Sequence, residues 1–137
     1  MGICQDLENR YDYDIVEEFL GHFGMLVESL EKLIVALDDP ALFRRNINEL
    51  FRIFHTIKSA SGYLMITPVN KVVTLAEEVL EECRQLEGSA SDTLINWLLV
   101  VSDQLNAYRE DLEQDREHFT KTDSRIVKIP TLYLKGE

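Results

Sequence analysis

A chain of 137 residues that is 45% apolar is long enough for one domain with a real core and too apolar to be disordered. Its net charge of −11 excludes a nucleic-acid or anionic-lipid ligand, both of which need a basic face, and permits steering toward a basic protein partner. No apolar run approaches the roughly 18 residues that span a bilayer, and the opening MGICQDLENRYD has no secretory pattern and a weak myristoylation pattern, so a soluble, cytoplasmic, monomeric protein is expected.

The first predicted helix carries Val16, Leu20, Phe23, Val27, Leu30, Ile34 and Leu37 at alternating steps of four and three, a heptad seam. Asp12 or Asp14 can cap it, and Asp38-Asp39-Pro40 ends it. Pro40 suits the first turn of a second helix with the stripe Phe43, Ile47, Leu50, Phe54, Ile57 and Leu64. Thr67-Pro68 reads as an N-cap and first position. The third helix then buries Val69, Val72, Val73, Ala76, Val79, Leu80 and Cys83. Gly88 to Asp92 is a turn. The fourth helix carries Leu94, Leu98, Val101, Leu105, Tyr108 and Leu112, with Trp97 and Tyr108 as core or rim packing. Short connections predict an all-α, antiparallel, up-and-down four-helix bundle over residues 1–117.

Residues 118–137 differ. They are β-branched, interrupted by Pro130 and enriched in basic residues, which predicts an extended tail or linker. Ile126, Ile129 and Leu132 are its candidate packing residues. Cys4 falls in an expected frayed end and Cys83 on an apolar stripe. Neither has the neighbours of a metal site, and no metal or cofactor is expected.

The chemistry concentrates on the second helix. On a wheel of about 100° per residue, Arg44, Asn48, Arg52, Lys58, Ser59 and Gly62 all lie within about 60° of His55. His55 therefore sits on the flank of the core stripe, on a patch of basic and small residues. A neutral imidazole is nucleophilic near neutral pH and can hold a phosphoryl group. Lys58 can neutralise phosphoryl oxygens. Ser59 and Gly62 keep the surface low for a partner, and Gly62 bears a mid-helix cost of roughly 1 kcal/mol against alanine. Taken singly, these residues would read as an exposed histidine, a solvated lysine and a packing seam. His22 and His118 lack such surroundings and are expected to be non-catalytic.

The run His55-Thr56-Ile57-Lys58-Ser59-Ala60-Ser61-Gly62 resembles the H-x-x-K-[GS]-x-x-G signature of histidine phosphotransfer (HPt) domains, most nearly the N-terminal domain of CheA-type chemotaxis kinases. Asp14–Leu20, Asn48–His55 and Leu75–Leu80 extend the likeness, which covers about residues 12 to 113. The resemblance implies that His55 is phosphorylated and that Glu77 bonds its other ring nitrogen, fixing the tautomer. The helical wheel agrees, placing Glu77 about 100° from Ala76 on the flank of its apolar stripe; the alternative is that it belongs to the solvated acidic run Glu77, Glu78, Glu81 and Glu82. Two positions depart from the pattern: Thr74 stands where a second histidine is frequent, and Met65 where glycine is usual. The implied partners are a histidine kinase and a response-regulator receiver domain, with contacts around Asn48, Arg52, Ser59, Gly62 and Thr74. Such a module is a relay substrate without its own ATP site. Three other readings stay open: an N-terminal piece of a longer kinase, an unphosphorylated helical adaptor, and a cofactor-binding bundle, which the lack of paired ExxH motifs disfavours.

Overall fold

The computed structural model describes residues 2–136; Met1 and Glu137, the outer ends of the expected domain and tail, lie outside the described residues. Five α-helices make up the described fold: α1 (Ile3–Arg10), α2 (Tyr13–Val35), α3 (Phe43–Tyr63), α4 (Thr67–Cys83) and α5 (Asp92–Glu113). Single 3₁₀ turns follow at Ala36–Asp38 and Ser124–Val127. The protein is a helical bundle in which α3 packs most extensively on α4, and α2 on α5.

The apolar stripes explain the burial. Val16, Phe23, Val27, Leu30, Ile34 and Leu37 are buried, with Leu20 only partly so. All six expected positions of the second stripe are buried, as are all seven on α4 and all six on α5. Trp97 and Tyr108 belong to that core. Asp12 takes the cap position of α2, without a side-chain bond, while the next two helix starts differ from expectation. Thr67 is the first helical residue of α4 rather than its cap; Ile66 takes the cap position without a side-chain bond. Pro40 lies in the turn before α3, where Asp39 Oδ1 accepts the Ala41 N–H and Asp39 O accepts that of Phe43. Ser91 caps α5 by accepting the Leu94 N–H.

The fifth helix, α1, corrects the expected count of four. Cys4 lies on it and is partly buried, not frayed. Eight mostly polar residues do not hold a helix in isolation. This one is held by the end of α5: Ile3 N–H donates to Arg116 O, and the Asp115 carboxylate accepts the Gln5 N–H. A side chain at Gly2 would clash with the backbone oxygen of Asp115, so the docking requires glycine there.

The C-terminal segment is likewise fastened to α5 rather than loose. Trp97 Nε1 donates to Ile126 O at 3.0 Å. Gln104 bonds Lys121 O and the Asp123 N–H. The hydroxyls of Tyr108 and Thr122 pair at 2.8 Å. Ser91 donates its hydroxyl to Leu132 O at 2.6 Å and its N–H to Tyr133 O, and Ala90 forms an isolated antiparallel bridge with Leu134. Of the three expected packing residues Ile126 is buried, while Ile129 and Leu132 are exposed.

The α3–α4 corner bears on stability. Ile66 N–H bonds Ser61 O and Met65 N–H bonds Gly62 O, the paired bonds of a Schellman ending. That ending places Met65 in the left-handed region, with φ of 56°, which glycine adopts without cost and other residues do not. Met65 is exposed, so little packing is lost on truncation. Met65→Gly is expected to stabilise the protein by about 0.5–1 kcal/mol and raise Tm by about 2–4 °C. An unchanged or lower Tm in a thermal melt would refute this.

Candidate phosphoryl-accepting site

The three-residue corner between α3 and α4 lays the two helices side by side and brings His55, Lys58 and Glu77 together. His55 and Lys58 are one turn apart on α3. Glu77 projects from α4 beside the buried Ala76. Its Oε2 lies 3.0 Å from His55 Nδ1 and its Oε1 accepts from Lys58 Nζ at 3.0 Å. The glutamate side chain is 14% exposed and that of His55 58%. One carboxylate therefore bridges both groups from beneath, with the imidazole facing solvent.

Burial alone would raise the Glu77 carboxyl, but hydrogen bonds from Lys58 and His55 and their charges outweigh it and hold the group below the usual carboxylate range. Glu77 is thus an anion at neutral pH and can only accept. In the neutral imidazole the ring proton then belongs on Nδ1 and the lone pair on Nε2. No hydrogen-bond partner engages Nε2 among the described residues. An exposed nitrogen with an available lone pair beside an ammonium is suited to nucleophilic attack on phosphorus.

The other expected residues divide. Asn48 and Arg52 line an open groove of about 550 Å³ with His55, Arg45, Glu49, Phe51 and Arg84. Arg52 pairs with Glu49. Ser59 and Gly62 are exposed. A Cβ at Gly62 would meet Asn70 Nδ2 at 3.4 Å, an ordinary contact, so access at the surface accounts for this glycine better than tight packing does. Thr74 turns back on its own helix, its hydroxyl donating to Asn70 O at 2.7 Å, and makes no hydrogen bond to the ring. His22 lines an apolar groove between α2 and α3, and His118 is exposed at the start of the tail; neither joins His55. Among the described residues no group of three His, Cys, Asp or Glu side chains gathers to hold a metal, and no described helix is long and apolar enough to cross a membrane.

Sequence reasoning missed three residues. Asn70 Nδ2 donates to Lys58 O and Ser61 Oγ, tying α4 to α3 behind the site. Phe51 stacks near His55, and Arg84 stacks over Phe51. A signal existed for the last two. Phe51 is four residues before His55 and Arg84 seven after Glu77, so each shares a helix face with a site residue.

Comparisons with known proteins accord with this geometry. The chain is 26% identical over 128 residues to the chemotaxis protein CheA of Salmonella typhimurium, covering 90% of this chain and 19% of that protein. It is 26% identical to CheA of Klebsiella aerogenes over 107 residues, 75% of this chain and 16% of the relative. It is 32% identical to CheA of Borreliella burgdorferi over 98 residues, 69% and 10% respectively. The chain thus spans a fifth or less of the length of these relatives. No solved structure matches it significantly. The family model described as the Hpt domain matches residues 14–118, a span that holds α2 from its second residue, all of α3 to α5 and every residue of the His55–Lys58–Glu77 cluster, and the chain belongs to the Hpt domain family.

Proposed function

We propose that this protein is a histidine phosphotransfer module that accepts a phosphoryl group on His55 Nε2 and passes it to a receiver-domain aspartate. The observation that carries the reading is the Glu77 bridge, 3.0 Å from both His55 Nδ1 and Lys58 Nζ. It presents the Nε2 lone pair outward with a cation alongside. In the first transfer that lone pair attacks phosphorus, an N–P bond forms, and the donor's O–P bond breaks. In the second, an aspartate oxygen attacks phosphorus and the N–P bond breaks, returning the lone pair to Nε2. Lys58 offsets the charge on the phosphoryl oxygens in both. The module takes groups made elsewhere and needs no nucleotide site or cofactor.

A kinase domain and a receiver domain are the partners this reading requires. Each must reach Nε2 over the exposed parts of α3 and α4, where Asn48, Arg52, Ser59 and Gly62 surround the ring. The residue 64–66 connection favours antiparallel α3 and α4, and α2–α5 are read as an up-and-down four-helix unit. We assign transfer to residues 1–117 and read 118–137 as a strap on α5. Action as a cytoplasmic monomer follows from the same reading. The relatives named above are several times longer than this chain, which favours, as a second reading, a phosphotransfer part of a CheA-like kinase.

The test is phosphoryl uptake from an ATP-charged kinase domain or a phosphorylated receiver. An acid-labile, base-stable phosphoryl group on the protein is expected. Its absence across several candidate donors, where a known Hpt domain is labelled, would overturn the proposal.

A further inference from the structure

The groove beside His55 contains a cation with no part in the transfer just described. Arg84 stands at the C-terminal end of α4 and is gripped from two sides. Its Nε donates to Asn48 Oδ1 on α3 at 3.2 Å, and its Nη1 pairs with Glu81 on α4 at 3.0 Å. So held, its guanidinium carbon lies 4.4 Å from the centroid of the Phe51 ring. Phe51 in turn lies one turn before His55, with ring planes 13° apart and centroids separated by 6.2 Å. The side chains form a row: guanidinium, phenyl, imidazole.

A row of this kind matters because one hydrogen bond does not fix a ring. Glu77 restrains the position of Nδ1 but leaves the imidazole plane to rock about that contact. Rocking swings Nε2, and in-line attack on phosphorus depends on the direction of its lone pair. A neighbour alongside the ring removes that freedom. Phe51 can serve only if its own ring is held, and Arg84 holds it by a cation–π contact.

Taking His55 as the phosphoryl carrier, we propose that Arg84 is a positioning residue for the transfer, acting through Phe51 to hold the plane of the His55 ring. Arg84 touches no reacting atom in this role.

Phosphoramidate is the appropriate phosphodonor, because it bypasses partner docking. Arg84→Gln and Phe51→Leu are each expected to slow labelling of His55 about three- to tenfold. The double variant should be no slower than the slower single one, since both act along one path. Arg84→Lys keeps the charge and should recover part of the rate. Histidine ¹⁵N spectra should show shifted or broadened His55 ring signals in Arg84→Gln as the ring plane rocks with Nδ1 still bonded to Glu77, a change that loss of a surface ion pair alone would not produce. Arg84 is partly exposed, so this variant should fold even where Phe51→Leu does not. Native rates in Arg84→Gln with an unchanged ¹⁵N spectrum would overturn the proposal, as would multiplicative effects in the double variant. If native protein takes no label from any donor, the phosphotransfer reading itself fails. The ¹⁵N spectrum then decides whether Arg84 holds the ring, shifted or broadened ring signals supporting it and an unchanged spectrum refuting it.

Discussion

His55→Gln is expected to abolish phosphoryl uptake, whereas Glu77→Ala should slow it by about 10- to 100-fold and leave the bundle folded. Glutamine at position 55 removes the nucleophile, while alanine at 77 leaves it in place without support. Glu77→Ala deprives Nδ1–H of its acceptor and Lys58 of its counterion at once. The ring can then take either tautomer, and Lys58 is free to turn away. The α4 core face, from Val69 to Cys83, is untouched, so the melting transition should stay cooperative. Glu77→Gln should fall between native and alanine, since its carbonyl can still accept from Nδ1 but its charge is gone. A native rate in Glu77→Ala would reject the bridge as a functional element; labelling of His55→Gln at the native level would reject the carrier.

The depressed Glu77 carboxyl adds a pH expectation. Its folded value lies below the unfolded one, so what it contributes to stability is complete above the ordinary carboxylate value and is lost only as pH falls through the folded value. A decline in transfer between pH 8 and pH 5 therefore does not originate in Glu77. The side-chain carboxyl ¹³C signal of Glu77 should therefore stay at its carboxylate position throughout that window. A Glu77 carboxyl signal that titrates between pH 8 and pH 5 would contradict this assignment.

The helical periods of α2 to α5 were legible because each apolar stripe is buried by a neighbour with the same period. The juxtaposition of His55 and Lys58 was legible for a related reason, since residues three apart share a helix face. Glu77 was not readable from spacing alone: it stands in an acidic run, and only the likeness to a known motif singled it out. Helix α1 escaped because nothing within its eight residues holds it; Gly2 and Asp115 do so across the chain. The strap escaped for the complementary reason. Gln104 and Asp111 read as polar surface positions on α5, yet both are buried, and their partners, Lys121, Asp123, Thr120 and Arg116, lie in or beside a segment without periodicity. Pattern reading detects partners that repeat, and these do not.

Asp111 should therefore be the most costly polar residue to replace outside the site. Its side chain is 1% exposed. It accepts from Arg116 Nη1 at 2.6 Å, from the Thr120 hydroxyl at 3.0 Å and from the Thr120 N–H. Asp111→Ala would remove the buried charged acceptor shared by the Thr120 N–H, the Thr120 hydroxyl and Arg116, although Thr120 is exposed and Arg116 partly so. Hydrogen bonds to a charged group contribute about 1.5–3 kcal/mol, so a loss of about 2–3 kcal/mol is expected in urea unfolding. Burial pushes the Asp111 carboxyl up, but the Thr120 and Arg116 donors outweigh it and set the folded value below the ordinary one. The stabilisation is thus complete above the ordinary carboxylate value and is lost as pH falls through the folded value. Asp111→Asn should consequently show a shallower fall in stability than native protein from pH 5 toward pH 2. The Asp111 contacts lie at the end of α5 and touch neither His55 nor its partners Lys58 and Glu77, so the same variant should label at the native rate at neutral pH. Native stability in Asp111→Ala, or an unaltered pH slope in Asp111→Asn, would show that the strap does not depend on this carboxylate.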